Sequence, residues 1–365
     1  MKIIVSGGGT GGHIYPAVAI IEELKKRDPN TEILYVGTAH GLENNIIPDL
    51  GINFKTIHVK GLPRKVNIKS FIAAKELFKG LRESKKIIKE FKPDAVIGTG
   101  GYVSGPVLFA SARKGIFSVF HEQNSYPGIT NKILSNYVDL YFVTFKESLK
   151  FLKKNANAVV TGNPIRNRFA DMDWDKSADY NYFGLDKNKK TIFSFGGSNG
   201  AASINNAVLE ILKDISMNQN IQLIHVTGKN NYDEFLKNAE TIPDNVKVYP
   251  YMKEMDKAYN VSDLIITSSG AITLAEISFV GLASILIPKG YTTENHQEYN
   301  ARVYEKNGAS SVILEKDLTG LILLREINRI ISSPQRLEEM ESASKKLAKP
   351  NAAKIIVDEI IKRIR

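Results

Sequence analysis

The sequence predicts an α/β protein made of two similar nucleotide-type domains. Short apolar runs alternate with helical patterns through both halves, as βαβ units around a doubly covered parallel sheet require. A strand–glycine loop–helix unit at 2–27 recurs at 191–217, a pair of related domains rather than a short-period solenoid. The 365 residues are enough for about two domains with full cores.

A hydrophobic content of 43% with 24% charged residues is ordinary for a soluble globular chain. Cysteine is absent, so neither a disulfide framework nor thiolate chemistry is available. The N-terminus shows no signal-peptide pattern, and no apolar run approaches the ~20 residues of a spanning helix. The net charge of +10 is unevenly placed: residues 1–165 hold 23 Lys/Arg against 13 Asp/Glu, and residues 166–365 hold 26 of each. The excess is either a solvated basic surface or the footprint of an anionic partner: nucleic acid, anionic membrane or a phosphorylated substrate.

In the first half, strands are expected at 2–6, 33–36, 54–57, 95–98, 117–120, 140–143 and 158–161. The first feeds Gly7-Gly8-Gly9-Thr10-Gly11-Gly12-His13 and a helix from Pro16 to Arg27. Glycines and a helix N-terminus suit an anion, and the histidine suits proton transfer near neutral pH. The letters also fit a dinucleotide fingerprint, so a nicotinamide-dependent oxidoreductase is one alternative. That fingerprint wants an acid at the end of the second strand, where this chain has Tyr35-Val36-Gly37-Thr38.

Between 62 and 92, Phe71, Ala74, Phe78, Leu81 and Ile88 recur at helical spacing among ten Lys and Arg from Arg64 to Lys92. The stripe can lie on the sheet with the cations in water, or Ile68, Phe71 and Ile72 can enter a headgroup region with the cations on anionic lipid. A second glycine loop runs from Gly98 to Pro106, and His121-Glu122-Gln123-Asn124 is expected just beyond a strand, at the sheet's carboxyl edge. His121 and Glu122 read first as a buried pair that orders this loop. After Gly162-Asn163-Pro164-Ile165-Arg166, the aperiodic polar stretch 167–190 reads as an interdomain linker. Its Asp171-x-Asp173-x-Asp175 is taken as a solvated acidic run and not as a metal site, because no strand end or further ligand accompanies it.

The second half restarts with a strand at 191–195, the loop Gly196-Gly197-Ser198-Asn199-Gly200 and a helix to Ile215. Strands are expected at 221–226, 246–249, 264–267 and 284–287, followed by helices at 318–331, 335–347 and 352–364. Gly270 stands at a strand-to-helix junction, and Glu276 lies roughly 9 Å further along that helix. A nucleoside diphosphate with its phosphates on the helix amides could set its ribose diol beside this carboxylate. Asn295 and Gln297 in the next loop suit a hydroxyl-rich ligand.

Taken together, the glycine loops at 7–13 and 100–106, His121–Asn124, Gly162–Arg166, Gly196–Ser198, Ser269–Glu276 and Gln297 resemble glycosyltransferase family 28 over the whole chain. The closest resemblance is to its members that add N-acetylglucosamine to the lipid-linked muramoyl pentapeptide of bacterial cell walls. The resemblance implies a GT-B fold of two Rossmann-like domains across a cleft: 1–163 facing acceptor and membrane, 164–350 binding the UDP-sugar, and helix 351–365 packing back on the first. It implies no metal and no cofactor. UDP-N-acetylglucosamine would be held by Ser198, by the amides of Ala271, Ile272, Thr273 and Leu274, by Glu276 on the ribose, and by Met252 on uracil with Arg166 nearby. Thr10, Gly11, Gly12, His13, Asn124 and Gln297 would surround the sugar. Some relatives carry two adjacent glutamines where this chain has His296-Gln297, so only Gln297 is carried over.

The implied reaction is an inverting transfer to the 4-hydroxyl of the muramoyl sugar. His13 is the expected base, Glu122 its second, and Tyr102 positions the acceptor, a polyprenyl-diphosphate-linked muramoyl peptide. The resemblance also selects the membrane reading of 62–92. It implies a peripheral enzyme on the cytoplasmic face of the cell membrane that binds no nucleic acid. A transferase with a diacylglycerol acceptor is the other alternative.

Overall fold

The computed structural model describes the chain except residues 62–67, 155, 167, 168, 170, 171, 173, 198 and 365, with side chains further excepted at 68–72 and 293. The chain forms two compact units, Met1–Asn167 with Lys349–Arg365, and Arg168–Ala348.

Among the described residues, the first unit has seven strands: β1 (Lys2–Gly7), β2 (Glu32–Gly37), β3 (Asn53–Thr56), β4 (Ala95–Gly100), β5 (Phe117–Glu122), β6 (Leu140–Val143) and β7 (Ala158–Val160). All pair in parallel, in the order β3-β2-β1-β4-β5-β6-β7. Its helices are α1 (Gly11–Arg27), α2 (Glu43–Asp49), α3 (Ile68–Phe91), α4 (Ser104–Ala112) and α5 (Ile129–Leu134). Alternate residues of β1 serve opposite faces, as the period of a strand dictates. Ile3 and Val5 pack with Ile14, Ala17, Ile20 and Leu24 of α1, whereas Ile4 packs with Ile87, Ile88, Val107 and Leu108 on the other side.

The second unit has six parallel strands among the described residues: β8 (Lys190–Phe195), β9 (Ile221–Val226), β10 (Val246–Tyr249), β11 (Leu264–Thr267), β12 (Ala283–Leu286) and β13 (Ser310–Val312). Their order is β10-β9-β8-β11-β12-β13. Its helices are α6 (Ser177–Phe183), α7 (Ala202–Met217), α8 (Tyr232–Asn238), α9 (Met255–Asn260), α10 (Ala271–Val280), α11 (His296–Lys306), α12 (Gly320–Ile331) and α13 (Pro334–Leu347). The last helix, α14 (Ala352–Ile364), packs on α1 of the first unit. There it buries Ile356, Val357 and Ile360, each contributing about 1.5–3 kcal/mol, and an Arg27–Asp358 ion pair at 2.8 Å lies beside them.

Three expectations change. The supposed linker 167–190 contains a helix: α6 lies within it and buries Asp179 and Phe183 in the second unit. The third residue-pair row of β12, at Leu286, is matched by Val312 of β13, a strand too short to register as a period. On α3 the buried face is Ala73, Gly80, Ser84, Ile87 and Ile88, while Ala74 is exposed and Phe78 stands 78% exposed. The side chains of Ile68, Phe71 and Ile72, together with Arg64, Lys65, Asp171 and Asp173, lie outside the described residues. Among those described, no helix is long and apolar enough to cross a membrane.

His225 on β9 is fully buried, its ring 4.8 Å from that of Phe235, and burial pushes its pKa down to about 3. Between pH 6.5 and 3 the unfolded chain therefore binds a proton that the folded chain refuses. Stability of the second unit should fall as pH drops through that window, by up to about 1.4 kcal/mol per pH unit, and be indifferent to this group above it. Urea unfolding as a function of pH measures the slope, and His225→Leu should flatten it by one proton's worth.

Candidate functional site

In each sheet the strand order reverses at one point, between β1 and β4 and between β8 and β11. Loops leaving the carboxyl ends on either side of such a point frame a crevice, where open α/β sheets bind ligands. The sequence puts its glycine loops at both.

In the first unit, the amides of the loop after β1 are largely spoken for. Gly8 N–H donates to the Gly100 carbonyl at 3.3 Å. Gly9 N–H donates to Oε2 of Glu43 at 2.9 Å, and the same fully buried carboxylate accepts the N–H (3.0 Å) and hydroxyl (2.8 Å) of Thr38 through Oε1. A Cβ at position 8 would lie 2.4 Å from Glu43 Oε1 and would push this carboxylate aside. A phosphate therefore finds both amides taken, that of Gly9 by a resident carboxylate and that of Gly8 by the Gly100 carbonyl. Gly11 and Gly12 remain in the first turn of α1, whose His13 and Ile14 N–H groups turn back to the Thr10 carbonyl.

His13 is half-buried, with Nδ1 at 3.1 Å from the Thr99 carbonyl and 3.0 Å from Gln123 Oε1. Thr99 returns its hydroxyl to the His13 carbonyl at 2.7 Å. Gly100, at φ +111°, lets the ring lie against the backbone: a Cβ there would stand 2.5 Å from His13 Nδ1. Thr10 and Tyr102 are exposed on the neighbouring loop turns, and a Cβ on Gly9 would stand 3.7 Å from the Tyr102 ring. The structure thus brings Thr10, Gly11, Gly12, His13 and Tyr102 into one loop cluster.

β5 runs two residues further than expected, so His121 and Glu122 are its last two residues and leave the strand on opposite sides. Both are fully buried. His121 Nε2 lies 2.9 Å from the Gly162 carbonyl, and burial pushes its pKa down to about 4. Burial pushes Glu122 up to about 7, against the pull of amide donors from Asn131, Asn124 and Gly128. The Glu122 carboxylate accepts the Asn124 N–H at 2.9 Å and the Asn131 side-chain amide, which ties down the β5–α5 loop that carries Asn124. Arg166 belongs to this unit, its guanidinium 4.7 Å from the centre of the Tyr15 ring on α1.

In the second unit, α10 begins at Ala271 with Gly270 as its extended N-cap. Leu274 N–H makes the first bond of the helix, to the Gly270 carbonyl at 3.0 Å, and its side chain is buried. The Leu274 amide is thus bonded within the helix, whereas Ala271, Ile272 and Thr273 have no carbonyl four residues back within it. Glu276 is only 4% exposed, held by the Tyr259 hydroxyl at 3.2 Å. Met252 is buried in the connection between β10 and α9. Gln297 Oε1 accepts the Lys289 N–H at 3.0 Å and its carbonyl accepts the Ser269 hydroxyl at 2.7 Å, which leaves the side-chain NH2 as the group it can offer a ligand. Ser198 lies outside the described residues.

Three participants escaped the sequence reading. Glu43 stands five residues beyond Thr38, and nothing in the spacing tells that it folds back under the glycine loop. Gln123 sits inside a motif that was noticed, between flashier neighbours. Lys289 follows Pro288 and donates to the Gly200 carbonyl at 2.8 Å, clasping the glycine loop before α7, and its burial lowers its pKa. A lone lysine beyond a strand end was the only signal for it.

Residues 3–143 match the N-terminal domain of glycosyltransferase family 28, and residues 191–356 match its C-terminal domain. A protein of Finegoldia magna, named UDP-N-acetylglucosamine–N-acetylmuramyl-(pentapeptide) pyrophosphoryl-undecaprenol N-acetylglucosamine transferase, is 60% identical over 364 residues, 100% of this chain and 98% of that one. The protein of the same name in Clostridioides difficile is 45% identical over 99% of this chain and 89% of its own. The crystal structure of Acinetobacter baumannii MurG superposes with a TM-score of 0.78 at 27% identity, covering 99% of each chain. A Neisseria meningitidis UDP-GlcNAc 2-epimerase bound to UDP-GlcNAc shares the fold, with a TM-score of 0.71 at 16% identity over 100% of both chains.

Replacing Glu43 by alanine strands the amides of Gly9 and Thr38. The first unit should lose about 2–4 kcal/mol. Urea unfolding measures the loss, and hydrogen exchange at Gly9 should speed up while the second unit is untouched. Unchanged exchange at Gly9 would count against the clamp.

Proposed function

The chain belongs to glycosyltransferase family 28, and from this premise we propose how its two sites divide one reaction. The enzyme transfers N-acetylglucosamine from UDP-N-acetylglucosamine to the lipid-linked muramoyl pentapeptide, forming the disaccharide lipid precursor of peptidoglycan. The observation that carries this reading is the 60% identity, along the full chain, to a transferase named for that reaction.

The donor belongs to the second unit. Its diphosphate meets the N-terminus of α10, where the amides of Ala271, Ile272 and Thr273 and the helix dipole receive the charge that grows on the leaving UDP. Glu276 takes the ribose diol, and the backbone at Met252 takes uracil. Gln297 offers its NH2 group to sugar hydroxyls. The first unit receives the acceptor and supplies the base. Amides of Gly11 and Gly12 and the hydroxyl of Thr10 border the sugar and the acceptor diphosphate, with Asn124 and Tyr102 beside them. His13 removes the proton of the attacking 4-hydroxyl as the anomeric carbon inverts. Glu122 orders the loop that carries Asn124 and is not the base, because its carboxylate is buried and committed to amide donors. Arg166, stacked on Tyr15 two residues beyond His13, offers a cation to the substrates.

The membrane surface is read from α3. Phe78 is exposed between Lys75, Lys79 and Arg82, an aromatic flanked by cations rather than a core residue. Helix α4 packs between α3 and α5, and α5 exposes Ile129 (65%) and Ile133 (54%) around Lys132. Apolar groups ringed by lysine suit an anionic interface, where each cation near the surface adds about 1 kcal/mol.

His13→Ala should lower kcat by about 10²–10⁴-fold with both substrates still bound. UDP release in the presence of the muramoyl lipid measures it, and near-normal turnover would eliminate His13 as the base. Release with a diacylglycerol acceptor but not with the muramoyl lipid would overturn the acceptor assignment. Exchanging Lys75, Lys79, Arg82 and Lys86 for glutamine should strip the protein from anionic vesicles and spare turnover on a detergent-dispersed acceptor. Equal sedimentation of both forms with vesicles would refute the docking surface.

A further inference from the structure

We propose that Gln123 is a positioning residue that sets the tautomer of His13, with His121 as its anchor. The imidazole proton is kept on Nδ1 and the lone pair on Nε2. The proposal rests on the reading of His13 as the base and says how that base is prepared.

The hydrogen bonds described around Gln123 admit one assignment. The Gly162 carbonyl can only accept, so His121 Nε2, 2.9 Å away, carries its proton. His121 is held neutral by burial, which leaves its Nδ1 bare. Gln123 Nε2 lies 2.7 Å from the Thr99 carbonyl, 3.0 Å from the His121 carbonyl and 3.1 Å from His121 Nδ1. All three are acceptors, and turning the amide over would press its oxygen against two carbonyl oxygens. The oxygen of Gln123 therefore points to His13 Nδ1, at 3.0 Å. With the Thr99 carbonyl at 3.1 Å as well, two oxygens that only accept face the same ring nitrogen, and the proton must be there. The opposite tautomer would set a lone pair against both.

The relay runs through the interior of the first unit. It begins at Gly162, five residues before that unit's N-terminal segment ends at Asn167, and finishes at the half-buried ring of His13. Gln123 and His121 are buried, so water does not compete for their bonds. Neither residue needs to touch substrate. Their effect passes through the ring nitrogen that a second hydrogen bond defines, as is general for histidine bases and ligands.

The test is nitrogen NMR of the full-length protein labelled with ¹⁵N-imidazole histidine, at a pH above the histidine range, alongside steady-state kinetics. His13 of the unmodified protein should show a protonated Nδ1 and a bare Nε2; a proton on Nε2 overturns the proposal without any variant. Gln123→Leu should mix the tautomers and lower kcat by roughly 10- to 100-fold, with KM for UDP-N-acetylglucosamine changed by less than about twofold. His121→Phe breaks the link to Gly162 but leaves both carbonyls holding the Gln123 amide, so its loss of kcat should be smaller. Unchanged tautomers in Gln123→Leu, or a larger loss in His121→Phe, would refute the relay. The two readings fail separately. Normal turnover by His13→Ala beside a wild-type Nδ1–H signal removes the base and leaves the positioning geometry standing.

Discussion

A parallel sheet buried on both faces leaves polar chemistry few exits, and in this chain the exits used are the carboxyl edges at the two strand-order reversals. The glycine loops, His13 and Gln123 of the first unit and the N-terminus of α10 in the second are gathered there. The strands behind are sealed: Ile3, Ile4 and Val5 of β1 face helices on either side, and β8 and β11 carry an equally buried set. This constraint explains why residues distant in sequence, such as His13, Thr99 and Gln123, can share one nitrogen, since β1, β4 and β5 lie side by side and end together.

Two strand-to-helix junctions do different work because their amides meet different partners. After β1, a buried carboxylate from Glu43 takes the Gly9 N–H, and the Gly100 carbonyl takes that of Gly8. At the start of α10 no acidic side chain occupies the first turn, and Ala271, Ile272 and Thr273 precede the first bond of the helix. An anion seeks unpaired donors and avoids a resident negative charge, so the nucleotide diphosphate is better served by the second unit. The missing ribose acid after β2 and the presence of Glu43 are two sides of one fact: the acid of this crevice is spent on the glycine loop itself.

The alternation of strands and helices, the recurrence of the glycine loop and most strand positions were legible because they rest on local chemistry: apolar period, glycine at turns, breaks before helices. What was not legible depends on how far strands run and on which side chains fold back. Strand β5 continues through Glu122, so the expected buried pair lies within the strand, on opposite sides of it, and not beyond its end. On α3 the period was visible but its phase was not, and Phe78 proved to be on the outer face. A three-residue strand such as β13 carries no periodicity to read. Glu43 and Lys289 act through backbone groups of another loop, contacts that no spacing rule encodes.

The choice of an amide at position 123 has a chemical consequence. A carboxylate there would also hold the proton on His13 Nδ1, but its charge would stabilise the imidazolium and raise the pKa of the base. It would also be repelled by the carbonyls of Thr99 and His121, which lie 2.7 and 3.0 Å from the nitrogen that glutamine places between them. Glutamine shares its two N–H groups among the carbonyls of Thr99 and His121 and the bare Nδ1 of His121, and meets His13 with its oxygen. The tautomer is selected by geometry with no added negative charge. A base that must hand its proton on after each transfer is served by an orienting partner that does not trap the protonated form.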